Sequence, residues 1–305
     1  MHLSANDPCS PRRPRRARIN ALAAVIGCLL SACAANIPPP ATNASAMTAM
    51  QEPLVMGPTV DGYTYTNEPK LTRLGPHRFM IPANYFSDQM GPDFQGGVLL
   101  ELVWPQLGPA PPGRTREMSR NEQNRLIQAN VDYIEKLPLQ ETMDSMQSGF
   151  VDDPVMSKDP VDNMSQRTRG EDVLGLQRWY VSEADKARYL KLTEGQRDLY
   201  AWPSDPWYIQ DWFVRRDIHG HVLTFIKCDP PSKPDGLIIH GDTLVDDGNP
   251  HVALCSHTFS APKFGIKIRA SYPRVLMRDW ERVESNLHVI FERYHVGRNG
   301  RGGLP

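Results

Sequence analysis

Short runs rich in Val, Ile, Leu and aromatic residues recur along this 305-residue chain, bounded by Gly, Pro, Asn and Asp. Such runs predict strands. They fall at Arg78–Ile81, Gly97–Trp104, Val173–Val181, Tyr208–Arg215, His221–Cys228, Leu237–His240, His251–Phe259 and Phe264–Tyr272. Asp217-Ile218-His219-Gly220 reads as a tight connection between two of them. Two stretches carry helical spacing instead. Ser119-Arg120-Asn121-Glu122 is a capping box, and Leu126, Ile127, Val131 and Ile134 follow at steps that predict a helix over Ser119–Lys136, ended by Pro138. Leu276, Trp280, Val283, Leu287, Ile290, Phe291 and Tyr294 form the apolar stripe of a second helix. Pro105–Gly113 is a Pro-rich loop, and 139–171 is polar, acidic and without period, so a long irregular loop is expected there. The sum is an α+β fold: an antiparallel sheet with helices packed on one face. It is either one domain over 63–296 or two similar lobes, 63–138 and 172–296, around the 139–171 loop. The Gly- and Arg-rich residues 297–305 are expected to form a disordered tail.

The first 62 residues belong to neither pattern. Arg12, Arg13, Arg15, Arg16 and Arg18 precede an uncharged run, Ala21–Leu30. At 10 residues this run is too short to cross a bilayer core of about 30 Å as a helix, which favours an export signal over 1–32. Leu30-Ser31-Ala32-Cys33 resembles the bacterial lipobox. The resemblance implies cleavage before Cys33, acylation of its sulfur and attachment to a membrane; Ala34 rather than Asp after it implies the outer membrane. Residues 33–62, rich in Pro, Ala, Thr and Met, then read as a lipidated flexible tether reaching roughly 30 Å.

Loss of the signal changes the charge. Removing five arginines and Asp7 from 34 basic and 35 acidic side chains leaves 29 against 34, a net −5. A mildly acidic chain without a basic tract argues against nucleic acid as a partner and suits a basic protein. The same cut simplifies the cysteines. Cys9 and Cys28 depart and Cys33 takes lipid, which leaves Cys228 and Cys255. In an oxidising compartment they are expected to form a disulfide.

Candidate chemistry is sparse. His240, Asp242, Asp246, Asp247, His251 and His257 cluster in sequence, but their spacing fits no zinc motif and Gly241, Gly248 and Pro250 mark a turn-rich loop, so no metal is assigned. His219 and His221 flank a turn and read as surface residues. No nucleophile elbow, His-Glu-x-x-His helix or Gly-rich phosphate loop is present, and no catalytic residue or cofactor is assigned beyond the lipid on Cys33. Contact candidates remain. Trp202, Trp207 and Trp212 lie in an aromatic-dense stretch with Tyr200 and Tyr208, and Asp152 and Asp153 lie in the acidic loop. Trp and Tyr are common at binding hot spots, although core packing is their ordinary use.

The stretch Arg78-Phe79-Met80-Ile81-Pro82-Ala83-Asn84-Tyr85-Phe86, followed by Gly96-Gly97 and a strand, resembles envelope proteins encoded near antibacterial secretion clusters. The ending is similar to lipoprotein immunity proteins of type VI or related secretion effectors: a Cys-bearing hairpin leads through Tyr272-Pro273 to the helix at Leu276–Tyr294. These likenesses imply a periplasm-facing lipoprotein that binds a toxic effector and holds it inactive. An accessory lipoprotein of an envelope or secretion assembly, and a periplasmic hydrolase, are the alternatives.

Overall fold

The structure, a computed structural model, describes residues 52–92, 96–196 and 198–298. Cys33, the signal and most of the tether lie outside them. The elements in chain order begin with β1 (Met56–Val60), β2 (Tyr63–Thr66), β3 (Pro69–Leu74), β4 (His77–Pro82) and β5 (Gly97–Val103). Then come α1 (Arg120–Gln123), β6 (Leu126–Tyr133), α2 (Leu139–Asp144), β7 (Thr168–Arg169), β8 (Gln177–Tyr180) and α3 (Glu183–Leu192). The chain continues with β9 (Asp211–Arg216), β10 (Val222–Cys228), β11 (Leu237–His240), β12 (Thr243–Asp246), β13 (Leu254–Ala261), β14 (Ile266–Pro273), α4 (Trp280–Tyr294) and β15 (His295–Arg298).

An eight-stranded antiparallel sheet, ordered β5-β6-β14-β13-β10-β9-β8-β7, is the frame, and β15-β4-β3 forms a smaller sheet. The α+β expectation holds. Val98, Leu100, Ile127, Ala129, Val131, Ile226, Phe259, Ile266 and Ile268 point to one side of the frame, where Val283, Leu287, Ile290 and Phe291 of α4 cover them. Phe79 and Ile81 from the smaller sheet complete this core. Its apolar burial is the main stabilising term.

Several expectations change. The capping box closes as predicted, Ser119 accepting from the Glu122 amide, but its helix lasts four residues. From Leu126 the chain is β6, paired with β5 and β14. Ile127 and Val131 fit a helical step of four and a strand step of two equally. Ala129 between them, with Gln128, Asn130 and Asp132 facing away, fits only the strand. Because β6 pairs with β14, 63–138 and 172–296 share one sheet instead of forming two lobes. Strand pairing already starts at Met56, inside the expected tether, and Glu52 meets Tyr294 and Arg293. At the other end, Gly297 and Arg298 pair with β4 inside the expected tail; 299–305 lie outside the described residues. The predicted last helix begins as a tighter turn over Arg274–Asp279. An unanticipated helix, α3, is capped by Ser182 and Asp185. No helix of the described residues is long and apolar enough to cross a membrane.

Candidate interaction surface

The expected irregular loop 139–171 folds against the second face of the frame, opposite α4. Met143 and Met164 pack on Trp212, Val214, Val222 and Phe225, with Met146 and Trp179 at the margin. A bulge between Val222 and Thr224 turns Val222 onto this face beside Phe225. Asp144 pins the end of α2 to the frame: its carboxylate accepts from the Val222 amide at 2.7 Å and sits 2.8 Å from His221 Nδ1. Gln140 donates to the Val222 carbonyl. At the far end of the segment, Arg167 lies over the Trp212 ring, 3.8 Å from its centre, and donates to the carbonyls of Val161 and Gln210. Burial pulls this guanidinium down to about 10.

The cap covers the β8–β9–β10 end and leaves the rest of the face open. Strand register lays the open part out as rows. One row runs Lys227, Ser256, Ser271, Gln128, Glu101; the next runs Phe225, Thr258, Arg269, Asn130, Leu99; a third runs Ser260, Lys267, Asp132. Two depressions break this surface. A depression of ≈ 190 Å³ lies against the cap, lined by Thr142, Lys227, Ser256, Thr258, Lys267 and Arg269 over Met146 and Phe225. A cleft of ≈ 490 Å³ lies toward β5, with Glu101, Gln128, Arg116 and Ser271 in its walls. Burial pushes the Glu101 carboxyl up, against the opposing hydrogen bond from Gln128. Burial pulls the Lys227 ammonium down, and Arg167 adds to the effect. The Lys227 ammonium sits 4.4 Å from the centre of the Trp212 ring, so two cations lie against that ring.

The residues singled out by sequence scatter. Cys228 and Cys255 are bonded, directly opposite each other on β10 and β13. Trp212 is buried core, so the ordinary use of a tryptophan prevails there. Trp207 is half-buried against His251, and Trp202 lies near Tyr189 and Lys186. They border separate clefts of ≈ 390 and ≈ 410 Å³ on either side of the 202–210 segment. Asp153 accepts from the amides of Val155 and Met156 and shapes a turn, while Asp152 is exposed. Beside it Phe150 and Val151, 61% and 66% exposed, project from the same loop and were not anticipated.

The histidines separate as well. His219 and His221 are exposed, as are His240, Asp242, Asp246, Asp247 and His251. His257 alone is fully buried, bonded to the Tyr272 hydroxyl, with its Nε2 3.5 Å from Glu284. Among the described residues no three His, Cys, Asp or Glu side chains are arranged to hold a metal ion. Lys227, Lys267 and Arg269 were missed, because only the pairing of β10, β13 and β14 brings them together. The alternation Lys267, Arg269, Ser271 was their one visible signal.

No protein-family pattern matches the chain, and no curated protein sequence matches it. Among solved structures the chain is similar to Smlt3025, an immunity protein of the Stenotrophomonas maltophilia type IV secretion system. The TM-score is 0.72 and the identity 29%, over 80% of this chain and 99% of that one. The likeness spans essentially all of that protein, and it ties this fold to a secretion-system immunity protein of type IV, where the sequence resemblance had pointed to type VI or a related system.

Proposed function

We propose that this chain is an immunity protein: it binds a toxic effector of a bacterial secretion system and holds it inactive. The observation that carries the reading is the likeness to Smlt3025 over 99% of that protein's length at 29% identity. A stoichiometric inhibitor needs a rigid, pre-formed surface more than a catalytic group, and the half-open sheet face braced by α4 behind it supplies one. The lipobox-like Leu30-Ser31-Ala32-Cys33 supports the finer reading that the protein works from a lipid anchor on Cys33, at the outer membrane and facing the periplasm. Tethering would concentrate the inhibitor where the effector arrives.

The test is deletion of the gene in a strain that keeps its neighbours. A neighbouring product should then become toxic when directed to the periplasm, and supplying the full chain should restore growth and yield a one-to-one complex. If no neighbouring product is toxic and no complex forms, the reading is wrong.

A further inference from the structure

Resting on the immunity reading, we propose that the depression formed by Lys227, Lys267 and Arg269 on the open sheet face is the docking point for an acidic segment of the protein partner.

Three cations on the open sheet face lack a carboxylate partner among the described residues. Several half-buried cations elsewhere are matched by carboxylates, Arg178 with Asp211, Arg215 with Glu284, Lys233 with Asp229 and Arg274 with Asp235, and others, such as Arg125 and Arg167, donate to backbone carbonyls. Lys227, Lys267 and Arg269 all line one depression of ≈ 190 Å³, and no acidic side chain lines it. Among the described residues, none of the three makes an ion pair or a side-chain hydrogen bond. Asp132 stands opposite Lys267 in the β6–β14 register but not within ion-pair distance. Lys227 leans toward Trp212 and also borders the ≈ 390 Å³ cleft with Asp162, Asp205 and Asp229, so Lys267 and Arg269 supply most of the hollow's charge, and like charges in one hollow repel. The arrangement gains only when an anion enters.

The chemistry of the hollow specifies a carboxylate. The Arg269 guanidinium offers a planar pair of donors, the two ammonium groups add charge, and the hydroxyls of Thr142, Ser256 and Thr258 provide further donors. Five of these six residues stand on neighbouring strands β10, β13 and β14, and the Cys228–Cys255 bond ties two of those strands together. The strands that carry the donors are therefore fixed before the partner arrives, which lowers the ordering cost of binding.

The surroundings favour a short acidic peptide segment over a polyanion. Glu101 and Asp132 lie farther along the same face, and the cap carries Asp152, Asp153, Asp159 and Asp162. Three cations inside an acidic surround attract a local cluster of Asp and Glu, and they repel an extended phosphate backbone. The net acidity of the chain, which on sequence suits a basic partner, is thus reversed locally at this spot.

The experiment has two arms, so that this proposal and the reading beneath it can fail separately. In the first, fluorescein-labelled deca-glutamate is titrated against the full chain, its K267E/R269E variant and a remote K191E control. Arg269 is exposed and Lys267 partly so, and a thermal melt of each variant checks that it folds. The wild type and K191E should bind, less tightly as salt rises from about 0.05 to 0.5 M. K267E/R269E should bind on the order of tenfold more weakly. A milder variant, Lys227→Met, should bind with an intermediate loss. Equal binding by all four proteins overturns the proposal, as does a single-stranded oligonucleotide that binds more tightly and displaces the peptide. In the second arm the same variants are asked to protect cells from the toxic neighbouring product. Protection by the wild type and K191E but not by K267E/R269E supports the assignment; full protection by K267E/R269E overturns it. If the wild type itself protects against nothing, the immunity reading falls, and the peptide titration still decides whether the hollow is a carboxylate site.

Discussion

Glu284 is the residue on which the helix-to-sheet contact is most finely balanced. It projects from α4, accepts from Thr224 Oγ1 at 2.8 Å and from Arg215 at 2.7 Å, and faces buried His257 at 3.5 Å. Burial pushes its carboxyl up, yet the nearby His257 ring and the bonds from Arg215 and Thr224 outweigh that and hold it below the usual carboxylate value. Burial also pulls His257 down, so this imidazole is neutral near pH 7. Both shifts act in the same direction. The His257 contribution is complete above about pH 6.5 and is lost as pH falls below it; the Glu284 contribution begins to go below about pH 4.5. Stability should therefore fall in two stages between pH 7 and pH 3. Glu284→Gln should lower stability by about 1–3 kcal/mol at pH 7 and flatten the lower stage. Denaturant titrations across that range check it, and an unchanged lower stage would assign the acid sensitivity to other carboxylates.

At the scale of elements, the cap over 139–167 creates the edge of the hollow, and Met143 is its apolar anchor, fully buried against the sheet. Met143→Ala should cost about 2–5 kcal/mol and speed hydrogen exchange at the α2 amides while α4 stays protected. Uniform loss of protection would mean the cap and the frame unfold as one unit. The Asp144–His221 contact adds a pH signature to the same joint. The Asp144 carboxylate raises the His221 imidazole above its ordinary value, so its support is complete below about pH 6.5 and is lost as pH rises through the raised value.

Legibility in the sequence followed the same division. The strands β9, β10, β13 and β14 and the helix α4 could be read because their apolar spacing fits one period only. The stretch after Ser119 was misread because Ile127 and Val131 satisfy two periods, and sheet pairing decided between them. The cap reads as loop in the sequence because its helices are a turn or two long and the residues that anchor it to the sheet are methionines spaced irregularly along 143–164. Of the hollow only the alternation Lys267, Arg269, Ser271 is visible in the sequence: its residues lie as much as 127 positions apart, from Thr142 to Arg269, and meet only through strand register and the packing of α2.

For the whole molecule, two cysteine experiments test independent claims. The Cys228–Cys255 bond closes a separation of 27 residues, and removing it as a Cys228→Ala/Cys255→Ala pair should cost about 3 kcal/mol in a denaturant titration without changing the fold. Equal midpoints for the wild type with and without reductant would show that the bond contributes little. Cys33→Ser should move the protein from the membrane fraction to the soluble periplasmic fraction, and an unchanged membrane fraction would rule out the lipid anchor there.

The pairing of β15 with β4, and of β14 with β6, also sets an order in time. A ribosome delivers β4 and β6 first, and their partners follow well over a hundred residues later. Until Pro273 has been made β6 keeps an open edge, and until Arg298 has been made β4 keeps one, so the frame can pair before the smaller sheet closes. The smaller sheet is thereby the last to close, so a chain cut short before β15 loses the closing strand and with it the protection of the β4 edge.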